Sequence, residues 1–244
     1  LGYKNLMKIV SLGYLNGFYY KPRVDKDVLR KYSEGLVCLS ACLKGEVSEK
    51  LVNNDYDGAK KAAASLEDIF GKGNFFLEVQ NHGMKEDEIV LSGMKKISDE
   101  LSIPICATND VHYIKKEDWK NHKVLLCVQT GRTLEESNGQ DMHYAPGEFY
   151  LRSPEEMSEL FDNPEYLENT MKVSERCNVE LDFEHLHLPY FKVPEGLTNN
   201  EYLRNLTWTG IENRYDDVTE EIKERVQFEL KTIEEMGYVD YFLI

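Results

Sequence analysis

Between residues 36 and 112, short apolar runs alternate with long amphipathic ones, and this alternation limits the folds open to the chain more than any other feature. Leu36-Val-Cys-Leu39 is an uninterrupted apolar run of the length of a buried strand. Residues 56–70 set Ala59, Ala62, Ala63, Leu66, Ile69 and Phe70 on one helical stripe, ended by Gly71 and Gly73. Phe75 to Val79 alternates as a strand, and residues 87–101 return to helical period with Val90, Met94, Ile97 and Leu101. Ile103, Ile105 and Ala107 then alternate in a third strand, bounded by Pro104 and polar residues. A β-α-β-α-β order predicts parallel strands joined by right-handed crossovers, hence an α/β fold.

Parallel strands all end on the same side of their sheet, where loops carry chemistry in barrels and open sheets alike. The three predicted strand exits hold Cys42, then Glu78 with His82, then Asp110 with His112. A thiolate, carboxylates and imidazoles are the side chains that bind transition metals, and Asp110 and His112, two residues apart, can face one ion. Each has an ordinary structural reading as well. Cys42 suits a packed small residue, Glu78 the partner of a lysine, His82 a turn, Asp110 a cap and His112 the surface. Recurrence at successive exits is what raises a metal site.

Formal net charge is −15, from 44 acidic and 29 basic residues. Phosphate contacts require Lys and Arg, so a chain this acidic is not expected to bind nucleic acid unaided. Five cysteines (Cys38, Cys42, Cys106, Cys127 and Cys177) show no framework spacing, and Cys38, Cys106 and Cys127 lie in apolar runs. This predicts reduced thiols and a cytosolic protein. No apolar run approaches a membrane span of roughly 20 residues, and no secretory signal opens the chain. Its start at Leu1 suggests an excised fragment.

Elsewhere, residues 4–15 have helical spacing, an aromatic loop Gly17-Phe-Tyr-Tyr-Lys-Pro22 follows, and a short helix opens near Asp25. Residues 119–130 are predicted helical with Val124, Leu125 and Val128 buried. A polar surface loop covers residues 135–147, and His122 and His143 are read as surface residues. Phe149-Tyr-Leu-Arg-Ser153 is predicted to be a strand. Ser153-Pro-Glu-Glu156 and Asn163-Pro-Glu165 carry helix-start chemistry. Residues 179–199, with Pro189 and Pro194, form an extended connector in which His185 and His187 alternate with leucines. That His-x-His could bind metal but has no evident third ligand. Thr198 and Thr219 cap two further helices, and residues 238–244 are expected to begin a strand.

Several phrases resemble the C-family replicative polymerases, the alpha subunits of bacterial DNA polymerase III, along essentially the whole chain. They are Tyr3-Lys-Asn-Leu-Met7, the aromatic loop 17–22, Leu39-Ser-Ala-Cys-Leu-Lys-Gly-Glu46, Phe76-Leu-Glu-Val-Gln-Asn-His-Gly83, Ala107-Thr-Asn-Asp-Val-His-Tyr113, and Glu229-Leu230 through Met236-Gly-Tyr-Val-Asp-Tyr-Phe-Leu-Ile244. The resemblance implies an incomplete, distorted (β/α)7 barrel of the PHP type over residues 1–178, lacking its first strands. A connector follows over 179–199, and a mostly helical start of the polymerase palm over 200–244. It implies Cys42, Asp110 and His112 as ligands of a multinuclear zinc or manganese site, with Glu78 and His82 as neighbours. The family's opening His-x-His would lie before Leu1, so weak or absent metal binding is expected of this chain. The polymerase aspartates and their magnesium lie beyond Ile244. Implied partners are primer–template DNA, deoxynucleotides and other replisome subunits, among them a sliding clamp and an exonuclease subunit, in the cytoplasm and away from membranes. Three roles compete: part of a DNA-directed DNA polymerase, a PHP phosphoesterase (free-standing, or proofreading as a 3′–5′ exonuclease), and a structural platform.

Overall fold

In the computed structural model, which describes residues 1–136, 147–184 and 191–244, a three-stranded parallel sheet orders β1 (Cys38–Leu39), β2 (Phe75–Val79) and β3 (Ile105–Ala107) side by side. Leu39 pairs with Phe76, and Glu78 with Cys106. β2 is buried on both faces except at half-buried Glu78, the condition of a central parallel strand covered by helices.

The crossovers are helical, as the periodicity requires. Between β1 and β2 run α3 (Glu46–Val52) and α4 (Tyr56–Phe70), and between β2 and β3 runs α5 (Lys85–Leu101). The Asp55 carboxylate caps α4 by accepting from the Gly58 N–H at 2.9 Å, and Gly71 ends it at φ +85°. Ala59, Ala62 and Ala63 of α4, with Val90, Met94 and Ile97 of α5, meet Phe75, Leu77 and Val79 in one core. The small alanines let α4 lie close to the sheet. α3 was not anticipated. Its signal is a single i,i+4 pair, Val47 and Leu51, both buried.

Around this core lie α1 (Gly2–Leu15), α2 (Lys26–Tyr32), α6 (Trp119–Thr130), α7 (Pro154–Leu160) and α8 (Glu165–Arg176). Asp25 caps α2, accepting from the Val28 N–H at 2.9 Å. Ser153 and Glu156 form a reciprocal capping box on α7. The buried Asn169 of α8 donates its side-chain amide to the Ile105 carbonyl at 2.7 Å, satisfying the edge of β3.

Residues 1–179 make one compact unit and residues 180–244 another. The second holds α9 (Asn199–Arg214), α10 (Glu220–Glu235) and α11 (Val239–Leu243). Thr198 and Glu201 box the start of α9, and Thr219 caps α10.

Four expectations are corrected. Val124, Leu125 and Val128 of α6 are exposed, and Cys127 is its buried residue. Periodicity identifies the helix, but the packing partners choose its inner face. His122 is half-buried, its ring against His112 and Tyr113, not a free surface residue. Residues 149–153 make only an isolated bridge, Tyr113 with Tyr150, because no neighbouring strand extends alongside. Residues 239–243 are helical, closed by Phe242 N–H to Tyr238 O at 3.1 Å. Local i→i+4 bonds win there, since no strand is found among the described residues of that unit. His143, His185 and His187 lie outside the described residues.

Candidate functional site at the carboxyl edge of the sheet

All three predicted exits open on one edge of the parallel sheet, and their residues form two adjoining groups. Glu78 centres the first. One carboxylate oxygen accepts from the Thr108 hydroxyl at 2.6 Å, the other from the Ala41 N–H at 3.1 Å. The Glu78 N–H donates to Ser40 Oγ at 2.8 Å, and Gln80 donates to Thr108 Oγ1 at 3.1 Å. Glu78 thereby ties the loops after β1 and β3 to the strand between them.

Ala41 takes φ +66°, and a Cβ on Gly45 would lie 2.2 Å from the Ser40 carbonyl oxygen. The loop after β1 is therefore a tight turn that presents Cys42 outward, with its thiol exposed. Beneath it lies a recess of about 10 Å³ that Cys42, Ser48, Glu78, Gln80 and Asp87 help to line. That volume holds roughly one water molecule and excludes a substrate. Cys38 and Cys106 flank the carboxylate. Burial first, and the Glu78 charge second, push both thiols up to about 11.

Phe149 centres the second group. His82, 2% exposed, stacks on it with ring centroids 4.2 Å apart and planes 9° apart. His112 meets the same ring edge-on at 5.4 Å, and His122 lies 5.2 Å from His112. His112 Nε2 is 3.2 Å from Asp110 Oδ1. The His82 N–H donates to Asp87 at 2.8 Å, while both ring nitrogens are buried without a partner among the described residues. Burial lowers the His82 pKa below its ordinary value, against the pull of Asp87 and Asp110; the Arg152 and His112 charges add to the lowering.

Arg152 braces this group. Its side chain, 5% exposed, meets Glu148 at 2.5 Å and donates to the Asn81 carbonyl at 3.3 Å, while its N–H donates to Asn109 at 3.0 Å. Glu148 also pairs with Lys116 at 2.9 Å. Neither Arg152 nor Phe149 was marked by the sequence as a site residue. They arrive from an aperiodic segment some 40 residues past Asp110, where only the tertiary structure supplies a signal.

Asp110 and His112 are thus side by side, His82 is in their neighbourhood across Phe149, and Glu78 and Cys42 belong to the adjoining group. Among the described residues, no group of three or more His, Cys, Asp or Glu side chains is disposed to hold a metal ion. The described donors, as they stand, do not make a complete ligand set for a metal.

Residues 1–82 match the PHP domain family, and residues 201–244 match the bacterial DNA polymerase III alpha NTPase domain. Cys42, Glu78 and His82 fall inside the first match, Asp110 and His112 beyond it. The DNA polymerase III subunit alpha of Borreliella burgdorferi is 44% identical over 247 residues, covering 100% of this chain and 21% of that protein. That of Treponema pallidum is 40% identical over 245 residues, again covering 100% and 21%. That of Thermus aquaticus is 37% identical over 223 residues, covering 88% and 18%. This chain, which spans about a fifth of the length of these relatives, is similar to DNA polymerase III alpha subunits along its whole length.

Proposed function

We propose that the chain serves in a replicative DNA polymerase as its PHP-bearing part, in a protein that extends primers on a DNA template from deoxynucleotides. The observation that carries this reading is the pairing of two matches in one chain, PHP over residues 1–82 and polymerase III alpha over residues 201–244, within full-length similarity to polymerase alpha subunits. A free-standing phosphoesterase has no need of the second. In this reading residues 1–178 are the PHP domain, 179–199 a connector and 200–244 the start of the palm, and the division into two compact units near residue 179 supports it. The parallel β1–β3 sheet is then one arc of a distorted seven-stranded β/α barrel. The polymerase carboxylates and their magnesium belong to parts of the protein outside this chain, as do contacts to a sliding clamp and other replisome subunits in the cytoplasm.

Cys42, Asp110 and His112 are the side chains this chain would contribute to a divalent zinc or manganese site, with Glu78 and His82 beside them. The 3.2 Å approach of Asp110 to His112 supports the pair. Further ligands are needed to complete it, since among the described residues no three such donors are disposed around one ion. What the chain itself supplies is position: Glu78 locks the Cys42 loop against β3, and Arg152 locks the Asp110 loop.

Primer extension by the full-length protein tests the reading, and templated incorporation is expected. The Asp110→Ala variant should retain incorporation and lose any 3′–5′ exonuclease activity. A full-length protein that incorporates no nucleotide overturns the polymerase reading. Unchanged nuclease activity in Asp110→Ala overturns the site.

A further inference from the structure

The net charge of −15 conceals a basic end. Residues 1–32 hold seven Lys or Arg against two Asp, whereas the rest of the chain holds 22 against 42. Lys26 pairs with Glu46 at 2.9 Å and Arg30 with Asp68 at 2.7 Å. Lys4, Lys8, Lys21, Arg23 and Lys31 are all exposed.

Aromatic rings stand beside Lys21 and Arg23, and Lys8 and Lys31 meet Tyr32, while Lys4 lies about 20 Å away along α1. In the loop between α1 and α2, Phe18 is 57% exposed, Tyr19 63% and Tyr20 84%. Phe18 stacks on Tyr14 at 6.2 Å, Tyr19 meets Tyr20 edge-on at 4.6 Å, and the Arg23 guanidinium lies 4.9 Å from the Tyr19 ring centre. Beside the loop opens a cavity of about 670 Å³, lined in part by Arg23, Lys31 and Tyr32, with Asp25 and Asp27 on the α2 side. Lys8 and Lys31 both sit over Tyr32, at 5.5 and 5.4 Å.

The loop is built, not slack. A Cβ on Gly17 would lie 1.8 Å from the Arg23 carbonyl oxygen, so the loop closes on itself only with glycine there. Tyr20 sits at φ +59°, a left-handed conformation that is strained for a bulky residue, and it turns an almost fully exposed ring to solvent. Beyond its edge-on contact with Tyr19, so exposed a ring adds little to folding.

We propose that this aromatic–cationic platform binds single-stranded DNA. Exposed rings stack bases, and the surrounding lysines and arginine neutralise phosphates, the combination by which single strands are held without sequence preference. The cavity beside the loop is lined by Asp25 and Asp27 and not by Phe18, Tyr19 or Tyr20, so the strand is placed on the exposed rings and not in the cavity. At physiological salt, charges more than about 8 Å apart are largely screened, so the distant acidic surface does not cancel the local attraction. The choice of DNA over RNA rests on the polymerase reading above; the platform itself rests on its rings and charges.

Fluorescence anisotropy of a dye-labelled oligo(dT) of about 12 nucleotides with the purified chain tests the proposal. Binding is expected, weakening as salt rises. Tyr20→Gly removes the ring and relieves the left-handed strain, so it keeps the fold by circular dichroism while binding weakens about tenfold. Arg23→Ala should weaken binding and reduce the slope of log affinity against log salt by about 0.7. Phe228→Ala, an exposed ring in the second unit, should change nothing. No binding, or binding indifferent to Tyr20→Gly and Arg23→Ala, overturns the proposal. Equal affinity for oligo(U) overturns the DNA assignment. Failed primer extension by the full-length protein with oligo(dT) binding intact would overturn the polymerase reading and leave the platform standing.

Discussion

Replacing Glu78 by alanine asks whether the strand exits are held as one unit. The carboxylate accepts one hydrogen bond from the Thr108 hydroxyl at 2.6 Å and one from the Ala41 amide at 3.1 Å. Alanine leaves the half-buried Thr108 hydroxyl short of an acceptor, whereas the exposed Ala41 N–H can turn to water. Hydrogen bonds to charged groups contribute about 1.5–3 kcal/mol each, and with one of the two exposed, Glu78→Ala should cost about 2 kcal/mol. For a domain of this size, 1 kcal/mol moves Tm by about 2–4 °C, so thermal denaturation followed by circular dichroism should show a fall of about 4–8 °C. Glu78→Gln keeps one acceptor oxygen and should lose about half as much. It also removes the charge that helps hold Cys38 and Cys106 near 11, so alkylation of Cys106 should quicken. A Glu78→Ala protein melting within about 1 °C of the parent would refute the clamp, because so small a shift is well under 1 kcal/mol.

Thiol labelling should be strongly ordered. At pH 8, thiols titrating at about 11 are only about one part in a thousand thiolate, so Cys38 and Cys106 should stay unmodified while exposed Cys42 and Cys177 react, as read by mass spectrometry of partly alkylated protein. His82 should make the fold sensitive to mild acid. Its folded pKa lies below the ordinary 6.5, so below about pH 6.5 the unfolded chain binds a proton the native state refuses, and stability falls as pH drops toward the folded value. His82→Gln should flatten that part of the profile of denaturant midpoint against pH. Met94→Ala, in the core with no exposed surface, should cost about 2–5 kcal/mol in urea denaturation. Gly17→Ala should cost about 1–3 kcal/mol, since its Cβ must displace the Arg23 carbonyl.

The regular elements were legible wherever a residue's own neighbours in sequence decide its conformation. Helix 56–70 and strand 75–79 match their predicted bounds because alanine periodicity, an Asp cap and a terminal glycine agree in the one, and a short apolar run bounded by polar residues marks the other. Ser153, Thr198 and Thr219 announce their helices through capping chemistry that is complete within four residues. The faces of α6 and the fate of residues 149–153 and 239–243 were not legible, because each depends on a partner distant in sequence. An apolar stripe says that a helix can bury a side, and a β-prone run that it can pair; whether a surface is there to meet it is decided elsewhere.

The candidate site divides in the same way. Sequence placed Cys42, Glu78 with His82, and Asp110 with His112 at successive strand exits, because parallel strands fix which end of each run opens on a common edge. Side-chain partnerships needed the fold. Thr108 and Ala41 converge on Glu78 from 30 and 37 residues away, and Arg152 reaches back 71 residues to Asn81. Net charge misled in a related manner: it sums over the chain, whereas screened electrostatics acts over about 10 Å, and residues 1–32 keep a positive balance within an acidic whole. The sequence alone determined the alternation of elements and the edge on which chemistry collects, since both follow from local periodicity and chain direction. Only the tertiary structure decided which donors meet, which rings stay exposed and which stripes are covered, since those depend on distances that periodicity does not encode.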